Sequence, residues 1–256
     1  TETSWALAFV VGVPAAGGLI AAFGWSGPFW ALALLGALGF LGVLLFADNH
    51  RPQQTESAAR HFAQSFRSLL TSPRAWAGLF LGFTVVAAND MVNMVFGVWM
   101  EDTFFLQLAA LSGASAVIGI AELAGEGIVA LVADRLGKER VIAAGILINI
   151  AVLASLPLLN ASVAAALVWL FLFYLSFELI IVSTLPVMTE VLPEQRATML
   201  SAYIGAVSLG RAASSLAAAR VYGAGFAFNV IGAVVLNLGA LLALSRMRRK
   251  PAPKPA

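Results

Sequence analysis

Long apolar stretches alternate with short polar connections along the whole chain. A helix that spans a bilayer needs about 20 mostly apolar residues. The stretches do not alternate in polarity at every second residue, as the strands of a transmembrane barrel do. The pattern therefore predicts an all-α integral membrane protein with eight transmembrane helices: 5–23, 28–47, 75–99, 106–133, 141–159, 164–187, 198–221 and 226–245.

The composition agrees with a membrane protein and excludes several kinds of site. The chain is 61% hydrophobic and 11% charged, whereas soluble proteins carry about 25% charged residues. Because there is no cysteine, disulfides, thiolate catalysis and cysteine metal sites are excluded. His50 and His61 both fall in a predicted loop, and no His, Asp and Glu grouping has metal-ligand spacing. We expect no metal and no cofactor.

The basic residues predict the orientation of the helices. All but two of the 15 Lys and Arg residues lie in 48–74, 134–140, 192–196 and the tail 246–256. The intervening turns, 24–27, 100–105, 160–163 and 222–225, contain none. Basic loops stay in the cytoplasm, so the C-terminus is expected there. This distribution, with a net charge of +2, does not predict a nucleic-acid partner.

The loop 48–74 divides the chain. Apolar residues recur at helical spacing around Arg60, Gln64 and Arg67, which predicts an amphipathic helix on the cytoplasmic membrane face; these residues are Ala58, Ala59, Phe62, Ala63, Phe66, Leu69 and Leu70. A solvated linker is the alternative, because Pro52 and two glutamines precede them. The predicted parts are two helices in 1–47, the linker 48–74, a six-helix bundle in 75–245 and a basic tail, 246–256.

Five ionisable residues lie inside the predicted spans. A charge near the bilayer centre costs about 2.5–3.5 kcal/mol, so such residues face a cavity or a partner. They occupy the third, fourth, sixth and seventh spans, which are expected to line a polar space; they are Asp90, Glu122, Glu126, Glu178 and Arg211. The fifth and eighth spans have no ionisable residue and are expected to face lipid.

Depth along the helices predicts which of these charges meet. At about 1.5 Å per residue, Asp90 lies roughly 22 Å and Arg211 roughly 20 Å from the cytoplasmic end, so they can form an ion pair. Glu122 and Glu178 fall at one shallower level. Two carboxylates in a site of low dielectric do not both ionise easily, so one can carry a proton. The alternative is that these groups only fix the helix register.

Two asparagines and Glu126 complete the predicted pathway and its surroundings. Asn89 and Asn93 flank Asp90 and are candidate substrate contacts, although interhelical hydrogen bonding explains them equally well. Glu126, nearer the cytoplasmic end, is expected to act on the turn at 134–140.

That turn resembles a conserved element of the major facilitator superfamily. The residues from Ala130 to Arg140 match its G-x-x-x-D-R-x-G-R/K-R/K loop, with Ala130 and Glu139 as departures. Gly137 permits a reversal of two or three residues, and Asp134 can face a helix N-terminus or an arginine. The resemblance implies a cytoplasmic gate made of Glu126, Asp134, Arg135, Gly137 and Lys138.

Two further regions are similar to the same superfamily. Pro14, Gly17 and Gly18, followed by Gly24-Trp25 and Phe29, resemble the packing motif of its fifth helix and the next turn, with Val13 at a usual glycine. That motif is associated with proton-antiporting exporters. Segments 192–198 and 208–212 resemble the approach to the eleventh helix and the helix itself.

The resemblance implies an architecture and a function. The eight spans would be helices five to twelve of twelve, so the N-terminal bundle is incomplete and the sequence is expected to begin inside a longer protein. The spans without charges would be the peripheral ninth and twelfth helices. The implied function is alternating-access transport of a small organic molecule, with proton-coupled efflux of the drug- or sugar-exporter kind. The full-length protein would be a monomer in the bacterial inner membrane.

Three other functions remain as alternatives. An intramembrane lipid-modifying enzyme would need a nucleophile, for which Ser176 and Ser183 near Glu178 are the best candidates; we expect no enzyme. A channel would need repeated charged rings or a carbonyl-rich filter. A facilitator without ion coupling would need no proton carrier.

Overall fold

The computed structural model describes residues 11–46, 58–105, 108–156 and 162–248. These residues form helices joined by short connections, with no strand among them. The helices are α1 (Val13–Phe23), α2 (Gly27–Phe46), α3 (Ala58–Thr71), α4 (Pro73–Phe104), α5 (Leu108–Leu136), α6 (Lys138–Ala154), α7 (Val163–Val191), α8 (Arg196–Tyr222) and α9 (Phe226–Arg248). One turn of 3₁₀-helix, Pro193–Gln195, precedes α8.

A helix lies at each of the eight predicted spans. Five helical segments are long and apolar enough to cross a membrane: Gly27–Phe46, Pro73–Phe104, Ser115–Leu136, Val163–Val191 and Phe226–Arg248. Among the others, α1 is a shorter apolar helix and α6 has 17 described residues. The predicted spans also include 5–10, 47, 106–107 and 157–159, which lie outside the described residues.

The segment that was predicted to be amphipathic is helix α3. Residues Ala58 to Thr71 are helical, whereas 48–57 lie outside the described part, so a solvated position for this segment remains the alternative. Phe66 and Leu70 are exposed, whereas Leu69 is buried. An exposed apolar pair on a short surface helix is typical of a helix lying at a membrane interface, and that location remains a prediction.

Local sequence explains where α4 begins and ends. The Ser72 hydroxyl accepts a hydrogen bond from the Ala75 backbone N–H at 3.2 Å, and Pro73 occupies the first helical position, as at many helix N-termini. The helix continues past residue 99, where the predicted span ended. The added turn includes Glu101 and Asp102, which are exposed. It ends at Phe104, and the next residue, Phe105, has a left-handed φ of 55°.

Helices α6 and α9, whose predicted spans carry no ionisable residue, contain buried amides. Asn237 donates to the Asn149 side-chain oxygen at 2.8 Å, and the Asn149 amide donates to the Ser176 hydroxyl at 2.8 Å. This network joins α6, α7 and α9. Other residues of the same two helices, among them Leu147 and Val235, are exposed and apolar, as expected for helices that face lipid.

Candidate functional site

A cavity of about 400 Å³ lies between α4, α5, α7 and α8. Neither α6 nor α9 contributes a residue to its lining among the described residues. The four helices that line the cavity are thus the four whose predicted spans carry ionisable residues. The polar residues that line the cavity are Asn89, Asp90, Asn93, Glu122, Tyr174, Tyr203, Glu178, Ser208 and Arg211.

Asp90 and Arg211 form the ion pair that their depths predicted. Arg211 Nε lies 3.3 Å from Asp90 Oδ2. The two side chains differ in exposure, since 52% of the arginine side chain and 2% of the aspartate side chain are exposed. The carboxylate is thus held inside the protein, whereas about half of the arginine side chain is accessible.

Helices α4 and α8 approach each other closely beside this pair. A Cβ atom on Gly210 would lie 2.4 Å from the backbone oxygen of Phe83, so only glycine fits there without a shift of the helices. One turn further on, the Ser214 hydroxyl donates to the Ala87 backbone oxygen at 2.7 Å. These two contacts bracket Arg211 and hold it opposite Asp90.

Tyr174 was missed by the sequence analysis. Its hydroxyl donates a short hydrogen bond to the Asn93 side-chain oxygen, and Asn93 also hydrogen-bonds Asp90. A polar chain therefore runs from α8 through α4 to α7. The residue was missed because the prediction compared the depths of charged residues only, and tyrosine is uncharged. Its position one turn before Glu178 could have indicated that it lies on the same helix face.

Glu122 and Glu178 line the same cavity from α5 and α7. Their exposed fractions are 8% and 5%. A Cβ atom on Gly125 would lie 2.6 Å from Glu178 Cβ, so the absence of a side chain at Gly125 lets α7 bring this carboxyl group against α5. Glu126, one turn after Glu122, lines neither this cavity nor the one at the 134–140 turn.

Asn89 places an amide group in the cavity wall. The residue is 5% exposed, and its side-chain nitrogen makes no hydrogen bond within the described part of the chain. A buried donor without an acceptor costs free energy.

The turn that resembles the superfamily loop is tied to two other helices. Gly137 is a single residue between α5 and α6, shorter than the expected reversal, and its φ of 87° favours glycine. Lys138 Nζ lies 2.7 Å from Glu190 Oε1 of α7. Arg248 of α9 lies 3.3 Å from the Glu139 carboxylate and also donates to its backbone oxygen.

These contacts explain a departure from the superfamily pattern. Glu139 stands where a basic residue is usual, and its acidic side chain is matched by Arg248. Asp134 and Arg135 are exposed beside a second cavity at the turn, which Asp134 helps to line. The role of the turn as a gate remains a prediction.

The remaining predicted residues lie apart from the cavity. Gly17 and Gly18 of α1, which follow Pro14, have open space where a Cβ atom would be added, so their role in packing remains a prediction. Ser176 is bound to Asn149 and to the Phe173 backbone oxygen. Neither Ser176 nor Ser183 lines the cavity, which argues against either as an enzymatic nucleophile there.

The chain was compared with known proteins. Residues 2–215 match the family model of the Major Facilitator Superfamily. YceJ of Bacillus subtilis (strain 168), named as an uncharacterized MFS-type transporter, is 24% identical over 215 residues, which are 83% of this chain and 54% of that protein. The chain thus spans about half the length of this relative. It is an all-α integral membrane protein and belongs to the Major Facilitator Superfamily, a family of membrane transporters.

Proposed function

We propose that this chain forms the substrate cavity and cytoplasmic turn of a secondary transporter that exports a small organic molecule in exchange for protons. The single observation that carries the proposal is the cavity between α4, α5, α7 and α8, which is lined by buried Glu122 and Glu178. Transporters of this kind bind substrate near the bilayer midplane and expose it to each side in turn. The protein is proposed to act as a monomer in the bacterial inner membrane, with its C-terminus in the cytoplasm.

The two carboxyl groups are suited to carrying protons. Both are nine-tenths or more buried and line one cavity, where the low dielectric disfavours two negative charges together. Arg211, paired with Asp90, supplies a fixed positive charge in the same wall. A proton is therefore proposed to bind to and leave one of these two carboxyl groups during transport.

Proton coupling can be tested in everted membrane vesicles that hold a proton gradient. The full-length gene product is assayed beside the 256-residue chain, and a panel of small organic cations, anions and sugars is added. We expect export of at least one compound by the full-length protein to dissipate the gradient. The 256-residue chain alone is not expected to transport.

Glutamine variants identify the proton carriers. Glu122→Gln and Glu178→Gln keep the side-chain shape but cannot release a proton, so each is expected to abolish gradient-driven transport. Glu194→Gln, an exposed residue of the 3₁₀ turn, is the matched control and should transport like wild type. Unchanged coupling in both cavity variants would reject the two glutamates as carriers. Movement of substrate without protons by wild type would instead identify an uncoupled facilitator.

A further inference from the structure

The end of α3, the start of α4 and the end of α9 lie together at one end of the bundle. Leu69 of α3, Ala75 of α4 and Met247 of α9 belong to one buried apolar cluster. Phe80 of α4 also lies beside Gly239 of α9, so these two helices run antiparallel, with the end of α9 next to the start of α4. Helix α3 directly precedes α4 and contacts it.

Each of these three helix ends carries an arginine at the surface. Arg67 and Arg246 are exposed, and Arg74 is partly exposed. In the described part of the chain none of the three forms an ion pair, since the ion pairs there use other cations. The sequence also has no Asp or Glu between Glu56 and Asp90, so α3 and the first half of α4 contain no carboxylate. These three arginines, the basic surface, therefore favour an anionic partner.

Trp76 indicates the level of the membrane surface beside these arginines. It lies two residues after Arg74, is half exposed, and donates its indole N–H to the Leu70 backbone oxygen at 3.0 Å. Tryptophan is enriched where a spanning helix meets the lipid headgroups. Phe80, also half exposed, follows one helical turn deeper on the same face of α4. The basic surface thus lies at headgroup level, directly above exposed apolar side chains.

This arrangement of charge and apolar surface matches one kind of molecule. An anionic phospholipid has a phosphate group above two apolar chains, whereas free phosphate would leave Trp76 and Phe80 uncovered. A zwitterionic phospholipid would bring a positive group against the arginines. Guanidinium groups bind phosphate oxygens through paired, charge-assisted hydrogen bonds.

We propose that the basic surface formed by Arg67, Arg74 and Arg246 binds the headgroup of an anionic phospholipid, whose chains lie along Trp76 and Phe80. Each basic residue near the membrane surface raises the association of anionic lipid by about fivefold. The bound lipid holds α3 flat on the bilayer. The proposal concerns lipid binding alone and does not depend on the transported substrate, on protons or on the direction of transport.

Quenching of Trp76 fluorescence by brominated lipids tests the proposal. The full-length protein is placed in phosphatidylcholine nanodiscs that contain an equal small fraction of either dibrominated phosphatidylglycerol or dibrominated phosphatidylcholine. The signal of Trp76 is the difference between wild type and Trp76→Phe. We expect phosphatidylglycerol to associate with this site at least about tenfold more strongly than phosphatidylcholine. Equal quenching by the two lipids would overturn the proposal.

Single substitutions assign the headgroup contacts. Arg67→Gln and Arg74→Gln should each lower the preference for phosphatidylglycerol by about fivefold, and Arg67→Lys, which keeps the charge, should retain most of it. Arg67 is exposed, so its replacement opens no cavity in the core. Arg140→Gln is the matched control, because it removes one exposed cation from the next basic turn, and it should leave the preference unchanged. An equal loss in Arg140→Gln would show that net charge selects the lipid and would reject the assigned site.

The soluble headgroup glycerophosphoglycerol separates a lipid site from a phosphate site. It lacks the acyl chains that are proposed to lie along Trp76 and Phe80, so at millimolar concentration it should not displace the brominated phosphatidylglycerol. Displacement would show that the arginines bind the phosphate group alone and would contradict the assignment of a lipid.

Discussion

At the scale of single residues, the unequal exposure of Asp90 and Arg211 decides what their pairing contributes. The aspartate side chain is 2% exposed and the arginine side chain 52% exposed. A buried charge that loses its partner cannot regain water, whereas a half-exposed guanidinium can. Removal of the arginine is therefore expected to cost more stability than removal of the aspartate.

This asymmetry predicts unequal effects of two neutralising substitutions. Arg211→Met leaves the Asp90 carboxylate buried without a counter-charge and should lower the free energy of unfolding by about 3 kcal/mol. Asp90→Asn leaves no buried charge, because the remaining guanidinium is half exposed, and should therefore cost less than Arg211→Met. Thermal unfolding of the purified protein in detergent measures both.

The double variant Asp90→Asn/Arg211→Met is the control. It removes both charges, so we expect it to recover most of the stability lost in Arg211→Met alone. If Arg211→Met and Asp90→Asn were equally destabilising, exposure would not determine the contribution of each partner.

At the scale of helices, glycine sets how closely α4 and α8 approach. A Cβ atom on Gly210 would meet the Phe83 backbone oxygen at 2.4 Å, and backbone cannot rotate away as a side chain can. Gly205, on the same helix, has open space around the same position. The two glycines thus form a matched pair in which only one is required by packing.

Alanine substitutions at the two glycines should therefore have different effects on the stability of the protein. Gly210→Ala forces the helices apart and should destabilise the protein by about 1–3 kcal/mol, while it moves Arg211 away from Asp90. Gly205→Ala should leave the stability unchanged or raise it by up to about 1 kcal/mol, because alanine favours helix. Thermal unfolding compares the two variants. Equal loss in both would show that the close approach at Gly210 is not what limits packing.

The sequence predicted the helices better than their lateral contacts. A helix lies at each of the eight predicted spans, and five of the described helical segments are long and apolar enough to cross a membrane. Depth paired Asp90 with Arg211, because depth depends only on distance along each helix. The sequence did not predict the hydrogen bonds from Tyr174 to Asn93 or from Asn237 to Asn149. Those depend on how helices rotate against each other, which close contacts such as Gly210 against Phe83 decide.

At the scale of the whole molecule, the charged connections distinguish one end of the helix bundle from the other. The turn at Gly137 is joined to α7 through Lys138 and Glu190, and to α9 through Glu139 and Arg248. These ion pairs lie at the end of the bundle that the basic loops assign to the cytoplasm. They connect helices of one bundle, so the turn is expected to move with that bundle during transport.

The orientation of the bundle can be tested with single cysteines. The natural chain has no cysteine, so each introduced thiol is the only one in the protein. Glu194 and Ala224 are exposed residues in the connections at the two ends of α8, a helix of 27 residues and hence about 40 Å long. In intact cells, a membrane-impermeant maleimide should label Ala224→Cys and not Glu194→Cys.

Permeabilised cells separate orientation from accessibility. Glu194→Cys should become labelled once the membrane is opened, which shows that its thiol was accessible but on the cytoplasmic side. Labelling of Glu194→Cys alone in intact cells would mean that the bundle is inverted and that the basic loops do not set its orientation. Labelling of both would mean that α8 does not cross the membrane. Arg211 would then not lie within a spanning helix, and its pairing with Asp90 would need another explanation than the cost of a charge in lipid.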